Sequence, residues 1–365
     1  GSALYVDVLS KENKFYLNNP DFKVNGNIAF GINVYDQADG SSNKNGAYSI
    51  ELYADDELIF NIISDKYSYS ETRYINSLID YSYYVKNKER FVRTEIDRFN
   101  ELNLYEKRNG VLFVNEGDTI RMRYVVKDFN DNKSVLEFNL IGTELPEMDS
   151  EKMLSRSYYY VYDGESSDIY LDGFECEIPQ RAFYRDVEIK AARVDTIQSS
   201  YSYYAYQLGS DEIPLHKKVK VRMKIRESCV DDTTLYLASI NSKGEYVFVG
   251  NKRVDDFIEA NTNVLGIFSI AKDSVKPIIK PINFRSNSSI TENWSLRVEI
   301  DDKDSGINKY EMLVNGEWVL ADYDAKNKLL LYQIDDHVKK GHNTFEVIVT
   351  DMVGNKNVYK TTLLR

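Results

Sequence analysis

The run Val125-Val-Lys-Asp-Phe-Asn-Asp-Asn-Lys-Ser-Val135 aligns without a gap on Ile348-Val-Thr-Asp-Met-Val-Gly-Asn-Lys-Asn-Val358. Each reads as a strand, a turn opened by Asp128 or Asp351, and a returning strand. An aspartate side chain bonds the backbone two residues on, and the Asp-Asn or Gly-Asn that follows tolerates positive φ. A second pair repeats as well: Glu51 to Phe60 turns at Asp55-Asp56, and Glu311 to Leu320 turns at Asn315-Gly316, a strong two-residue hairpin signal. The same two hairpins at both ends commit both ends of the chain to β layers. The first copy holds about 37 more residues between its turns, far beyond the usual four to six residues of a connection.

Period-two alternation recurs elsewhere, in Tyr48–Tyr53, Arg121–Val126, Val219–Ile225, Ser295–Ile300 and Thr344–Thr350, with β-branched and aromatic residues on one face. From Ser70 to Tyr84 the period changes. Tyr74, Ile75, Leu78, Ile79 and Tyr81 recur at three- and four-residue steps, which predicts a short helix inside the extra segment. A chain of 365 residues exceeds one ordinary domain. The expected fold is mostly β, with three β-sandwich domains. Residues 1–146 form an immunoglobulin-like sandwich with a Tyr-rich helical insertion at about 65–110, residues 147–272 a sandwich of different plan, and residues 273–365 a second immunoglobulin-like sandwich. Pro146 and the polar run Glu144–Ser155 mark the first boundary; Lys272 to Pro281, with Pro277 and Pro281 close together, reads as a stiff linker at the second.

Charge and motifs remove several function classes. With 46 Lys+Arg against 58 Asp+Glu the net charge is −12, and no basic stripe offsets it, so nucleic acid is not an expected partner. No stretch reaches the roughly 20 apolar residues of a helical membrane span. GxSxG, P-loop and GxGxxG motifs are absent. The two cysteines, Cys176 and Cys229, form no CxxC pair; one disulfide or two buried thiols fit them, and the second reading is favoured. His216, His337 and His342 have no partner at ligand spacing and read as solvent-facing turn residues. Asp301-Asp-Lys-Asp-Ser-Gly306 fails the helix-loop-helix calcium pattern and reads as an acidic turn, as do Asp231-Asp232 and Asp255-Asp256. The sequence therefore predicts no cofactor, no metal ligand set and no catalytic residue.

Tyrosine is the oddity, 29 residues of which fourteen cluster at 67–84, 158–162 and 201–206. A tyrosine presents a large apolar face and a polar tip, which suits both strand packing and binding surfaces. The segment between Asp65 and Gly110 combines tyrosines with arginines, the residue types enriched at binding hot spots. Arg73, Tyr74, Tyr83, Tyr84 and Arg90 are the candidate interaction surface, with cover of an open sandwich edge as the structural alternative.

Three stretches of the first domain, Ile28–Asn33, Asn45–Leu52 and Tyr69–Tyr81, resemble the region that follows the catalytic domain in a Gram-negative branch of the lysostaphin-type (LytM-like) zinc metallopeptidases. The likeness continues through Ile213-Pro-Leu-His-Lys217, Asp304-Ser-Gly-Ile307, Asn315-Gly-Glu-Trp318 and Gly354-Asn355; Arg73-Tyr-Ile-Asn76 is its most specific part. The family's zinc motifs, HxxxD and HxH, are missing: position four after His337 is Gly341, and after His216 it is Lys220. The resemblance implies a non-catalytic C-terminal region of a peptidoglycan peptidase. It would position or regulate the enzyme through its own or a partner peptidase domain, envelope proteins or peptidoglycan, in the periplasm or cell envelope. A stand-alone structural or secretion-associated envelope protein is the alternative.

Overall fold

The computed structural model of the chain describes residues 3–12, 14–37, 40–108, 110–144, 157–290 and 294–365. Pro146 and most of the Glu144–Ser155 run lie outside the described residues. The chain is mostly β, with its short helices confined to the segment after residue 68 and to one turn at Glu227–Cys229. It divides into two compact units that interleave along the sequence. Unit one is Gly1–Ser166 with Pro179–Ile189 and Asp211–Lys217; unit two is Ser167–Ile178, Lys190–Ser210 and Lys218–Arg365. The stretch expected to form one middle domain thus contributes to both.

Unit one is built on a six-stranded sheet in the order Asp21–Val24, Lys133–Gly142, Thr119–Lys127, Ser49–Ala54, Glu57–Ile63 and Tyr105–Arg108. Its alternation buries Met122, Leu52, Phe60 and Leu140, which pack with Val114 and Leu102 from the facing segments. In unit two, one sheet runs Ser167–Leu171, Phe174–Ile178, Val219–Lys224, Phe257–Thr262, Lys252–Val254. A second carries Ala205–Leu208, Gly266–Lys272, Leu235–Ile240 and Tyr246–Gly250 side by side. Two four-stranded sheets close the chain: Ile278–Pro281, Ser295–Asp301, Leu329–Gln333, Asp322–Asp324, and Glu317–Val319, Ile307–Val314, His342–Asp351, Lys356–Leu364. Leu296, Val298, Met312, Val314, Phe345 and Val347 form the core of these last two.

The sequence repeat is a structural repeat. Lys133–Gly142, Thr119–Lys127, Ser49–Ala54 and Glu57–Ile63 lie in the same antiparallel order as Lys356–Leu364, His342–Asp351, Ile307–Val314 and Glu317–Val319. The registers also correspond. Val125 faces Glu51 and Val135, and Ile348 faces Glu311 and Val358. Asp128 Oδ1 accepts N–H bonds from Asn130 and Asn132, and Asp351 Oδ1 accepts them from Val353, Gly354 and Asn355. Asp131 (φ 65°) and Gly354 (φ 101°) take the left-handed step at matching places. Asp55 Oδ1 accepts from Arg121 N at 2.9 Å; Asn315 Oδ1 accepts from Thr344 N at 2.9 Å.

Two expectations need correction. Pro281 does not stiffen a free linker: Ile278–Pro281 pairs with Ser295–Asp301 as an edge strand, where a missing N–H costs no ladder bond. The helical insertion is not one helix. A 3-10 turn, Tyr69–Tyr74, runs into a four-residue helix, Ile75–Leu78; Ile79 is extended (φ −104°, ψ 162°), and Asp80 restarts the chain as N-cap of Tyr81–Asn87 by accepting from Tyr83 N at 3.0 Å. The break has a cause: Asp80 N bonds Phe91 O at 2.9 Å and Ile79 bridges Val92, so the backbone is diverted into pairing.

Candidate functional site

The five candidate surface residues separate into two groups within unit one. Arg73 and Tyr74 are spent internally. The Arg73 guanidinium donates to Leu215 O (3.5 Å) and His216 O (3.3 Å), and its own carbonyl accepts from the Tyr184 hydroxyl. Tyr74 stacks on His216 with centroids 4.6 Å apart at 21° and meets Tyr184 edge-on, while its hydroxyl donates to Glu101 Oε2 at 3.1 Å. Burial and the Glu101 bond push the Tyr74 phenol upward from its ordinary pKa. His216 is therefore not a solvent-facing turn residue. Its Nδ1 is buried without a hydrogen-bond partner, its backbone N–H bonds Ala182 O at 2.7 Å, and burial, then the cations Lys217 and Arg73, lower its pKa below 6.5. His337 does stay half-exposed beside Asp335, at 2.9 Å, and His342 is exposed.

Tyr83 is also engaged, at 4.3 Å from the Tyr5 ring and 5.0 Å from Phe91. Half-buried Tyr84 and exposed Arg90 lie together. The Arg90 guanidinium lies 5.0 Å from the Tyr84 ring centroid and the Lys88 ammonium 5.6 Å from it, so one tyrosine carries two cations on its face. Lys88 sits in the left-handed conformation (φ 62°) that ends the helix, which turns its side chain back over Tyr84. Sequence reading missed Lys88, although its place in Lys86-Asn-Lys-Glu-Arg90 next to a tyrosine pair was available. The same helix is tethered by Glu212, which accepts from Ser82 Oγ and pairs with Lys86, both at 2.7 Å; these partners hold its carboxyl below the usual range.

Beneath this segment Asp97, 8% exposed, accepts from Ser77 Oγ and pairs with Arg185 and Arg93, while Glu95 pairs with Arg93 and Arg185. Arg185 is held above its ordinary pKa by Asp97 and Glu95 against the opposing effect of its burial. Compensated charges of this kind specify a geometry rather than offer a reactive group.

Unit two brings together three carboxylates that sequence spacing did not associate. Asp273 follows the Gly266–Lys272 strand, Asp302 follows Ser295–Asp301, and Asp351 opens the repeat turn; one oxygen from each lies within 4.8 Å of the others. Asp273 and Asp351 are 0% exposed. Thus the Asp301–Gly306 run is an acidic turn, as expected, with Asp302 Oδ1 accepting from Ser305 N and Gly306 N, and it is also one side of an oxygen cluster. Separately, a cavity of about 290 Å³ is lined by Leu171, Asp172, Arg193, Tyr204 and Tyr206, where Arg193 lies 4.0 Å over the Tyr204 ring. The cysteines are unbonded; Cys176 is buried and pushed up to about 12 by that burial, whereas Cys229 is half-buried, contrary to expectation, because its 3-10 turn leaves the thiol at the surface. Of the tyrosine run 158–162, Tyr158, Tyr160 and Tyr162 share an exposed face.

Residues 158–273 match the family profile of the Zu5-like domain. No curated protein matches the chain. Among solved structures it is similar to the fibronectin(III)-like modules of Clostridium thermocellum CbhA, at 14% identity over 69% of this chain and 87% of that one, TM-score 0.22. It is also similar to the SGBP-B protein of the Bacteroides ovatus mixed-linkage glucan utilization locus in complex with a mixed-linkage heptasaccharide, at 10% identity over 100% and 71% of the two chains, TM-score 0.16. A bacterial ice-binding adhesin of 1.5 MDa follows at 9% identity over 99% and 96%, TM-score 0.16. Scores this low leave function to be argued from the chain's own residues.

Proposed function

We propose that this chain is a non-catalytic accessory region of a cell-envelope peptidoglycan metallopeptidase, acting in the periplasm or envelope to position or regulate the enzyme. One observation carries the reading. Two of the segments similar to the lysostaphin-type enzymes' tail, the specific Arg73–Asn76 and Ile213–Lys217, are far apart in sequence, yet Arg73 bonds the Leu215 and His216 carbonyls and Tyr74 stacks on His216. The likeness thus falls on residues that hold one another, which favours a shared architecture over a chance motif. On this reading the first and last repeats are immunoglobulin-like sandwiches, consistent with their common strand order and turns. The working surface is then narrower than the five-residue candidate: Tyr84, Lys88 and Arg90, a cationic aromatic patch on an acidic chain, suited to carboxylates of a peptidase domain or of peptidoglycan stem peptides.

The test uses the full chain with a separately expressed lysostaphin-type peptidase domain and with purified sacculi. Tyr84→Ala with Arg90→Ala should weaken co-sedimentation with one of them, and the chain should change the rate of sacculus cleavage by the peptidase domain. Wild-type binding by the double variant, with no effect of the chain on cleavage, overturns the proposal.

A further inference from the structure

Two side chains of the short Asp211–Lys217 segment fasten different things. Glu212 holds the Tyr81–Asn87 helix, accepting from Ser82 Oγ and pairing with Lys86, both at 2.7 Å. His216 holds the segment itself. Its ring stacks on Tyr74 at 4.6 Å and meets Tyr184 edge-on at 5.3 Å, and Arg73 donates to the Leu215 and His216 carbonyls. The two anchors are four positions apart, so whatever frees His216 also slackens Glu212. A helix of seven residues does not persist without tertiary contacts, and its other hold is Tyr83 against Tyr5 and Phe91.

The His216 ring sits where an added proton has no place. Nδ1 is buried and has no hydrogen-bond partner among the described residues. A new N–H there would be a charged donor without an acceptor, which costs more than a neutral one. The charges that face the ring are Arg73 from the 3-10 turn, Lys217 from its own segment, Arg181 from the Pro179–Ile189 stretch, and Glu101. Cations thus outnumber acids three to one, and the single carboxylate is engaged by the Tyr74 hydroxyl at 3.1 Å and by Arg181 at 3.4 Å. The Tyr74 and Tyr184 phenols stay neutral, their pKa values raised by burial. The face of Tyr74 attracts an imidazolium, but an imidazole N–H lies in the plane of its ring and finds no acceptor on a stacked face. Burial, followed by Lys217 and Arg73, lowers the His216 pKa accordingly.

We infer that His216 is a pH-operated catch on the Tyr81–Asn87 helix: protonation of its ring frees the Asp211–Lys217 segment from Arg73, Tyr74 and Tyr184 and, through Glu212, loosens the helix that carries Tyr84. The docked ring is neutral, and a released ring takes up its proton at the ordinary value of about 6.5. Each pH unit below that multiplies the released population by up to about tenfold, which reaches roughly thirtyfold at pH 5. Glu212 does not titrate in this window. Lys86 and Ser82 hold its carboxyl below the usual range, so the tether keeps its charge while its anchor lets go. For the Tyr84, Lys88 and Arg90 surface, and resting on the reading of it given above, the catch means a partner held at neutral pH and released in acid.

Hydrogen exchange of the full chain at pH 7.5 and 5.0, corrected for the intrinsic pH dependence of exchange and read by mass spectrometry, tests the catch without any partner. Protection in Tyr81–Asn87 and in Ile213–Lys217 should fall together at pH 5.0, by about fivefold to thirtyfold, while Ser295–Asp301 in unit two keeps its own. His216→Phe retains a ring against Tyr74 and cannot take a proton, so its protection should be equal at the two pH values. His216→Gln, which has neither ring nor proton site, should likewise show no pH difference. Glu212→Gln should lose helix protection already at pH 7.5, with Ile213–Lys217 still responding to acid. Unchanged helix protection in the wild type at pH 5.0 overturns the inference, and so does an acid loss in both His216 variants equal to that of the wild type. Sacculus co-sedimentation at the two pH values is read separately: undiminished binding by a chain whose helix has loosened counts against the surface and not against the catch.

Discussion

Removing the Tyr74 ring distinguishes a structural knot from a partner surface. Deleting a fully buried aromatic side chain costs about 3–5 kcal/mol, and Tyr74 is half-buried, so roughly half of that applies. The stack on His216 at 4.6 Å and the edge contact with Tyr184 add about 0.5–1.5 kcal/mol, and the exposed hydroxyl bond to Glu101 adds little. Tyr74→Ala should therefore destabilise unit one by about 2–4 kcal/mol, equivalent to a fall in melting temperature of roughly 4–16 °C for a unit of this size. Tyr74→Phe, which loses only the hydroxyl, should cost about 0.5 kcal/mol or less. Because two units need not unfold together, the measurement is hydrogen exchange followed by mass spectrometry, reading Ile213–Lys217 and Arg73–Asn76 separately from unit two. Both segments should lose protection together. A change below about 0.5 kcal/mol, or loss of protection in one segment alone, would refute the claim that they support each other.

Acid should loosen the same knot. The His216 pKa is lowered in the folded chain, so below about 6.5 the unfolded chain takes up the proton first and stability falls as pH falls; His216→Gln should flatten that dependence in urea unfolding followed between pH 7.5 and 5. Thiol labelling at pH 8 should modify Cys229 and spare Cys176 until denaturant is added, since burial raises the Cys176 thiol to about 12. Gly142→Ala should unfold unit one at ordinary temperature or abolish soluble expression, because the new Cβ would stand 1.7 Å from the Asn115 carbonyl oxygen, a backbone atom with nowhere to move. Wild-type circular dichroism and melting of that variant would contradict the packing there.

The hairpins were legible because their chemistry is local. Asp128 and Asp351 bond amides within four residues, and Asp55-Asp56 and Asn315-Gly316 carry the two successive positive φ angles that a tight hairpin turn requires. Alternation then set the register of the neighbouring strands, since a one-residue slip would turn Met122 and Val347 out of their cores. The helical period from Tyr74 to Tyr81 was readable too, but not its interruption, which depends on a backbone bond from Asp80 to Phe91 and a bridge from Ile79 to Val92. Pairing of that kind leaves no period in the sequence.

Illegible features shared another property: each is assembled from positions that no spacing rule connects. Pro179–Ile189 and Asp211–Lys217 join unit one through Tyr184, Arg185, Glu212 and His216, single side chains inside stretches without alternation. The acid cluster is the limiting case. Asp302 alone resembles any Asx turn and Asp351 any hairpin aspartate, and each has a complete local reason for being where it is. Only when the repeat turn is set beside the Ser295–Asp301 strand end, with Asp273 bonded to Ser305, do two local turns become one cluster of carboxylates. Its excess charge is a property of the fold and not of any segment, because folding buries Asp273 and Asp351 with no cationic partner for either among the described residues.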